Sequence, residues 1–157
     1  MRLLLDTNVL LDVIAARQPF YRAAARLWSL AEHDQIEAFV SAISFNNIYY
    51  IVRKSAGKAK ADEALRAIRD LFTPVSLDAK LINRSMDAPI DDFEDAVQFH
   101  SASRENVDYL ITRDPDGFPH TGVSVLSPQE FLAIWDTREE QETAVSEDGS
   151  VRQHESG

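Results

Sequence analysis

Short apolar runs alternate with helical patterns along the first 136 residues, and this alternation is the feature that most constrains the fold. The runs that predict strands are 3–5, 36–40, 75–77, 109–111 and 123–126. Each is short and apolar, as strands buried on both faces of a parallel sheet are. Parallel strands need helical crossovers, so the pattern predicts an α/β fold with helices on both faces of a central, mostly parallel five-stranded sheet.

Between the strands, apolar residues recur at helical spacing. The predicted helices are 20–31, 48–52, 61–72, and one from Asp91 or Asp92 to about Asn106. A last helix is predicted to begin at Ser127, because the sequence Ser-Pro-Gln-Glu places a capping box there that ends at Glu130.

The C-terminal segment, 137–157, differs in composition from the rest of the chain. It holds six acidic residues and two arginines, and its only large apolar residues are Val145 and Val151. Such a composition buries too little apolar surface to offset the entropy cost of ordering. The sequence therefore predicts one folded domain over residues 1–136 and an acidic, disordered tail over residues 137–157.

The composition of the whole chain excludes several classes of protein. There is no cysteine, which rules out a disulfide framework, a thiolate metal site and a cysteine nucleophile. The net charge of -10 argues against a protein that coats nucleic acid through a basic surface, because that binding mode depends on lysine and arginine. No apolar run approaches the roughly 18 residues of a membrane span. Asp6 also interrupts the apolar N-terminal run, so no signal peptide is predicted and the expected location is the cytoplasm.

Three acidic residues stand out once the predicted sheet is considered. Asp6 directly follows the first strand, Asp114 follows the fourth, and Asp95 lies one turn inside the helix that begins near Asp92. In parallel sheets, ligands bind beyond the carboxyl ends of the strands. Taken singly, Asp6 also suits a helix cap and Asp114 a reverse turn. Brought together, the three carboxylates would repel one another without a bound cation, and oxygen ligands indicate Mg²⁺ or Mn²⁺.

Three segments carry a resemblance to a known family: 3–11 (LLLDTNVLL), 92–98 (DFEDAVQ) and 110–114 (LITRD). In this order and spacing they strongly resemble PIN domains, the family of VapC-type toxin ribonucleases. The resemblance covers roughly residues 1–136 and implies a three-layer α/β/α fold with acidic residues at the carboxyl edge of the sheet. It also implies the toxin component of a type II toxin–antitoxin system, with RNA as substrate, an antitoxin protein as partner, and a homodimer.

The resemblance assigns roles to individual residues. The metal ligands and catalytic residues are Asp6, Asp95 and Asp114, and the residues that support them are Asn8, Thr112 and Asp116. The implied reaction is hydrolysis of RNA phosphodiester bonds with the help of Mg²⁺ or Mn²⁺, leaving a 5′-phosphate and a 3′-hydroxyl.

One position departs from the family pattern. The family usually places a glutamate on its third helix, and Asn47 stands there in this chain. Helical spacing puts Asn47 on the stripe of Ile43 and Ile51, so its amide is expected to face inward and find polar partners. Its amide oxygen can hold a metal ion or its water, which keeps Asn47 as a catalytic candidate, but it brings no charge. The alternative function is therefore a PIN-like module, catalytically weak or inactive, that binds RNA or protein.

Basic residues cluster in segment 53–60, which holds four cations and no acid. Two interpretations stay open: contact with the RNA backbone through Arg53, Lys54 and Lys58, or a solvated helix junction. Arg113, beside Asp114, is a further candidate for binding phosphate.

Other phosphoryl-transfer enzymes fit less well. The sequence Asp6-Thr7-Asn8 lacks the second aspartate with which haloacid-dehalogenase-like phosphatases begin. Gly57-Lys58 has neither the upstream glycine nor the following serine or threonine of a phosphate-binding loop.

Overall fold

The structure, a computed structural model, describes residues 1–152 of the chain, with side chains as far as residue 149. Its strands are β1 (Arg2–Leu5), β2 (Glu37–Ser41), β3 (Thr73–Val75), β4 (Tyr109–Ile111) and β5 (Val125–Leu126). They form one sheet in the order β3-β2-β1-β4-β5, and every pairing is parallel. The predicted α/β fold with a five-stranded parallel sheet is confirmed.

Helices connect the strands and follow the last one. They are α1 (Thr7–Ile14), α2 (Tyr21–Glu32), α3 (Ala42–Ala56), α4 (Lys58–Leu71), α5 (Ala79–Asp87), α6 (Phe93–Arg104) and α7 (Pro128–Arg152). A 3₁₀ turn, Pro115–Gly117, follows β4. Among the helices of residues 1–152, none is both long and apolar enough to cross a membrane.

Apolar side chains fill both faces of the sheet, because neighbouring strand residues point to opposite sides. Leu3 and Leu5 of β1 join a large cluster with α1, α2, α3, α4 and α7. Leu4, between them, joins a smaller cluster that includes Phe39 of β2 and Ala102 of α6. Burial on both faces explains why the strands are unbroken apolar runs in the sequence. The predicted three-layer arrangement is confirmed.

Strands β1 and β2 differ from the prediction by one residue at one or both ends, and β3 and β5 differ by two. The third strand, predicted at 75–77, lies at Thr73–Val75 and contains Pro74. It is an edge strand, where the missing N–H of a proline need not cost a ladder hydrogen bond. The fifth strand, predicted at 123–126, is confined to Val125–Leu126.

Helix α5 has no counterpart in the sequence prediction. Asp78 caps it, since its Oδ1 accepts a hydrogen bond from the Leu81 N–H at 2.9 Å. Only Leu81 and Ser85 of this helix are buried. The helix is only nine residues long, so its few apolar residues, Leu81, Ile82 and Met86, form too short a stripe for the periodicity argument to detect.

The C-terminal segment differs most from the prediction. Residues 137–152, predicted to be disordered, continue helix α7. All side chains in 136–149 are exposed, so the helix rests on local interactions such as the ion pair of Arg138 with Glu142 at 3.0 Å. The composition argument considered burial alone and missed this local preference. Residues 153–157 of the predicted tail lie outside the described residues, and the domain boundary at residue 136 stays a prediction.

Candidate functional site

Asp6 lies at the carboxyl end of β1, the central strand of the sheet, and is 5 % exposed. Its Oδ1 accepts a hydrogen bond from the N–H of Thr7 at 2.7 Å, so Asp6 does cap helix α1. Its Oδ2 accepts a second hydrogen bond from Thr112 Oγ1 at 2.8 Å. With both oxygens bound, the carboxylate is held in one orientation at the edge where ligands bind in parallel sheets.

Asp95 and Asp114 reach the same edge from α6 and from the segment after β4. Asp95 is half-buried in the first turn of α6, which Asp92 caps by accepting the Asp95 N–H on Oδ1 at 2.9 Å. Asp114 is exposed, and its N–H donates to Thr112 Oγ1 at 3.4 Å. A cavity of about 390 Å³ opens between Asp95 and the 3₁₀ turn.

The surroundings of Asp6 and Asp95 oppose their ionisation. Burial raises the pKa of Asp6 to about 6 against the effect of its two hydrogen bonds, and the charges of Asp95 and Glu94 raise it further. Burial also raises the pKa of Asp95 to about 6, together with the charges of Asp92, Glu94 and Asp114. Asp6 responds to Asp95, and Asp95 responds to Asp114. The three predicted ligands therefore belong to one electrostatic cluster.

Asn8 and Thr112, predicted to support the ligands, both lie at this edge. Thr112 is 1 % exposed and binds Asp6 directly. Asn8 Oδ1 accepts the backbone N–H of Arg113 at 3.4 Å, which ties α1 to the segment that carries Asp114. These positions suit a supporting role, which stays a prediction.

Within the described residues, neither Asp116 nor Asn47 forms a side-chain hydrogen bond with Asp6, Asp95 or Asp114. Asp116 is exposed and lines a separate cavity with His120 and Val123. Asn47 is half-buried on α3, and its side chain makes no hydrogen bond to any residue that the structure describes. The polar protein partners expected for its amide are thus absent from residues 1–149. A half-buried amide can form its hydrogen bonds with water instead.

Arg113 is engaged within the protein. Its guanidinium forms an ion pair with Asp12, which is 1 % exposed, and lies 3.8 Å from the ring centroid of Phe20. Its charge is therefore largely committed to Asp12, and phosphate binding by Arg113 stays a prediction. This pair was missed from the sequence, where the available signal was a single acid, Asp12, directly after the apolar run 9–11.

The basic run lies at the junction of α3 and α4, away from the carboxylates. Lys58 pairs with Asp62 at 2.6 Å, and Lys54 is exposed. Helix α3 starts at the carboxyl edge of the sheet with Ala42, so at 1.5 Å per residue Arg53 lies about 16 Å further along its axis. The structure favours the solvated helix junction, and RNA contact through Arg53, Lys54 and Lys58 stays a prediction.

A buried polar network beside Asp6 was not predicted from the sequence. Thr7 Oγ1 donates to Glu94 Oε1 at 2.8 Å and lies 2.8 Å from Ser44 Oγ. Gln98 Nε2 donates to Ser44 Oγ at 3.0 Å and to Thr7 Oγ1 at 3.3 Å. Gln98 is fully buried, and its Oε1 has no hydrogen-bond partner within the described residues. The network joins α1, α3 and α6 at the candidate site.

Comparison with known proteins identifies the family. Residues 2–116 match a family model described as a PIN domain. The chain belongs to the PIN domain family. The predicted family is thereby confirmed. Among curated protein sequences, none matches this PIN domain significantly.

Solved structures share the fold of this PIN domain. One is a chain of the VapBC2 complex of Rickettsia felis, bound to a promoter DNA fragment. It has a TM-score of 0.62 and 20 % identity, over 81 % of this chain and 98 % of that chain. VapC20 of Mycobacterium tuberculosis, a sarcin–ricin loop cleaving toxin, has a TM-score of 0.60 and 18 % identity, over 73 % of this chain and 92 % of that chain. A toxin–antitoxin complex from Klebsiella pneumoniae has a TM-score of 0.60 and 22 % identity, over 80 % of this chain and 96 % of that chain. At these identities the likeness establishes the fold alone.

The donor set of this PIN domain fits a hard divalent cation. Asp6, Asp95 and Asp114 offer the oxygen ligands that Mg²⁺ and Mn²⁺ prefer, and the pKa values of Asp6 and Asp95 are raised first by burial and then by the negative charges of neighbouring acids. Within the described residues, no three acidic or histidine side chains already surround one point closely enough to hold an ion. Binding therefore requires a side-chain rotation, which the exposure of Asp114 allows.

Proposed function

We propose that this PIN domain is a divalent-metal-dependent endoribonuclease that hydrolyses RNA phosphodiester bonds, the toxin component of a type II toxin–antitoxin system. The observation that carries the proposal is the pairing of Asp6 and Asp95 at the carboxyl edge of the sheet, with both pKa values raised to about 6. Strongly perturbed carboxylates at a ligand-binding edge are typical of functional sites. Membership of the PIN family supports the same class of reaction.

The proposed ligands of Mg²⁺ or Mn²⁺ are Asp6, Asp95 and Asp114. When bound, such an ion supplies positive charge that acidifies water and stabilises the leaving oxygen. Thr7 and Thr112 hold the carboxylate of Asp6 in one orientation, so the rotation that binding requires falls on the other ligands.

Asp114 is the proposed proton acceptor, because it is the exposed member of the cluster and faces solvent. Water adds to the phosphorus atom and gives up its proton toward Asp114, and the bond from phosphorus to the 3′ oxygen breaks. The leaving oxygen takes up a proton from solvent. The products then end in a 5′-phosphate and a 3′-hydroxyl.

The proposed partners are an RNA substrate, an antitoxin protein and a second copy of the chain. The neighbours from Rickettsia felis and Klebsiella pneumoniae are toxin–antitoxin complexes, which supports the antitoxin. The homodimer rests on the family resemblance, and the cytoplasmic location rests on the sequence. A gene for a small DNA-binding protein directly upstream would support the toxin role, and its absence would favour a nuclease outside such a system.

RNA cleavage by purified protein tests the proposed activity. Wild type is expected to cleave RNA with Mn²⁺, and both EDTA and the Asp6→Asn substitution should abolish cleavage. Asp70→Asn is the matched control, because Asp70 is an exposed aspartate near the C-terminal end of α4, remote from the carboxyl edge. Equal cleavage by wild type and Asp6→Asn would refute the proposal.

A second candidate function is a PIN-like module that binds RNA or protein with little or no cleavage. The observation in its favour is Asn47, which brings no charge and no hydrogen bond to the described residues. Mn²⁺ binding to wild type without RNA cleavage would select this second function.

A further inference from the structure

We propose that Glu94 is a fourth oxygen ligand of the metal site, on the side that faces helix α3. The proposal rests on the metal-dependent function proposed above and deepens it. It identifies the group that brings negative charge to the side of the site where Asn47 brings none.

Glu94 is placed beside both Asp6 and α3. Its Oε1 accepts a hydrogen bond from Thr7 Oγ1 at 2.8 Å, and the N–H of the same threonine binds Asp6. Thr7 Oγ1 also lies 2.8 Å from Ser44 Oγ on α3. The Glu94 carboxylate is therefore within two hydrogen bonds of α3 and within two of Asp6.

The direction of the hydrogen bonds leaves Glu94 as an acceptor. Gln98 Nε2 can only donate, and it donates to the hydroxyl oxygens of Ser44 and Thr7. Each hydroxyl has one hydrogen, so Ser44 gives its hydrogen to Thr7 and Thr7 gives its own to Glu94 Oε1. No described residue donates a hydrogen bond to Glu94 Oε2. One oxygen is thus fixed by the network, and the other remains to bind an ion.

Glu94 lies close to two predicted ligands at once. It directly precedes Asp95 in the first turn of α6, and Thr7 bonds to both Glu94 and Asp6. An ion held by these three carboxylates would turn their mutual repulsion into attraction.

Gln98 adds an independent observation. Its side chain is fully buried, and Oε1 finds no hydrogen-bond donor in the described part of the chain. A buried acceptor without a donor is costly, and water carried by a bound ion is a donor of the right kind. Gln98 lies four residues after Glu94 on α6, so both side chains lie on the same face of that helix.

Asn47 defines the side of the site that lacks charge. It lies three residues after Ser44, so the two side chains share a face of α3. Its amide is neutral, whereas Glu94 reaches toward the same helix through Thr7 with a carboxylate. The proposed ligand set is then Asp6, Glu94, Asp95 and Asp114.

Calorimetric titration of Mn²⁺ into the metal-free, full-length protein tests this assignment. Glu94→Gln keeps an oxygen that accepts the Thr7 hydrogen bond and removes only the charge, so a purely structural role would leave binding unchanged. We expect Glu94→Gln to weaken Mn²⁺ binding about 10- to 100-fold. The thermal unfolding temperature of Glu94→Gln in EDTA should equal or exceed that of wild type, which would confirm that the variant is folded.

Glu32→Gln is the matched control, since Glu32 is an exposed glutamate at the end of α2, next to the amino edge of the sheet. It should change Mn²⁺ affinity less than about twofold because solvent and salt screen so distant a charge. An equal loss in Glu94→Gln and Glu32→Gln would reflect net charge alone and overturn the proposal.

Asp6→Asn separates this proposal from the proposed function. If Asp6→Asn loses Mn²⁺ binding while Glu94→Gln binds as tightly as wild type, the metal site stands and Glu94 is no ligand. If wild type itself binds no Mn²⁺ at millimolar concentration, the metal-dependent function and the role of Glu94 both fail.

Discussion

Asp6 and Asp12 are both buried at the start of the chain, yet the protein treats their charges in opposite ways. Asp6 is 5 % exposed and Asp12 is 1 % exposed. Asp12 is paired with the guanidinium of Arg113, which Phe20 covers. Asp6 receives hydrogen bonds but has no cationic partner among the described residues, and neighbouring acids add to the rise of its pKa.

This difference in cationic partners indicates which of the two carboxylates would be stabilised by an external cation. Burying a charge is costly unless it is paired. Arg113 meets that need for Asp12 inside the protein, whereas the ionised form of Asp6 is left uncompensated, with a pKa raised to about 6. The partner of a buried acid, more than its burial, therefore separates a structural aspartate from a candidate ligand.

Removing Arg113 is expected to have the largest effect on stability. Arg113→Met leaves Asp12 as an unpaired buried charge and is expected to lower the free energy of unfolding by about 3 kcal/mol. Urea denaturation measures the change. Arg69→Met, which removes an exposed arginine of α4, should have almost no effect, and an equally small effect of Arg113→Met would show that Asp12 does not depend on its partner.

Adding Mn²⁺ should supply Asp6 with the compensating positive charge that Arg113 provides for Asp12. At a free concentration 100 times the dissociation constant, the ion is expected to raise the free energy of unfolding of wild type by about 2.7 kcal/mol. Asp6→Asn should gain nothing under the same conditions. Thermal unfolding of wild type and of Asp6→Asn, each with Mn²⁺ and with EDTA, measures these changes. An equal gain in stability in Asp6→Asn would show that the ion binds away from Asp6.

Neutralising Asp6 should stabilise the fold in the absence of metal. Its pKa in the folded protein, about 6, lies above the ordinary 3.8, so ionisation destabilises the fold as the pH rises from 3.8 to about 6. Above that window the cost is fully present. In EDTA at pH 8, Asp6→Asn is expected to be about 1–2 kcal/mol more stable than wild type, less than the full shift implies because asparagine cannot accept both hydrogen bonds.

At pH 4, near the lower end of this window, most of this advantage should be gone, since Asp6 is then protonated in the folded chain and already partly protonated in the unfolded chain, where its pKa is 3.8. Urea denaturation at the two pH values measures the difference. An advantage that is equal at pH 4 and pH 8 would show that the charge of Asp6 is not its source.

Thr112 offers the smallest test, because its hydroxyl is the partial substitute for a cation at Asp6. Thr112→Val removes this hydrogen bond and should cost about 1 kcal/mol at pH 8, where Asp6 is ionised. The cost should fall at pH 4. Denaturation at both pH values checks it, and no loss at pH 8 would mean that Thr112 does not stabilise the charge.

Local patterns predicted the sheet and the edge that carries the site. The apolar run of β1 ends at Asp6, and the acids that open α6 include the cap Asp92. Both the end of the strand and the start of the helix are therefore indicated by residues adjacent in the sequence. The capping box also forms as predicted, with Ser127 and Glu130 exchanging hydrogen bonds of 3.1 Å. Such signals depend on short-range geometry that a single sequence displays.

Contacts between distant residues escaped prediction. Asp12 and Arg113 are 101 positions apart, and Thr7 and Glu94 are 87 apart, so nothing local marks either contact. Exposed elements escaped for a different reason. The end of α7 buries no described side chain, and a burial argument cannot detect it.

An anomalous difference map from crystals soaked in Mn²⁺ tests most directly whether the uncompensated acids hold a cation. We expect a peak within coordination distance of Asp6, Asp95 and Asp114, with a carboxylate oxygen of Glu94 beside it, and no peak at Asp12. A fully soaked crystal with no peak at Asp6, or with its peak elsewhere, would show that these acids do not hold the cation.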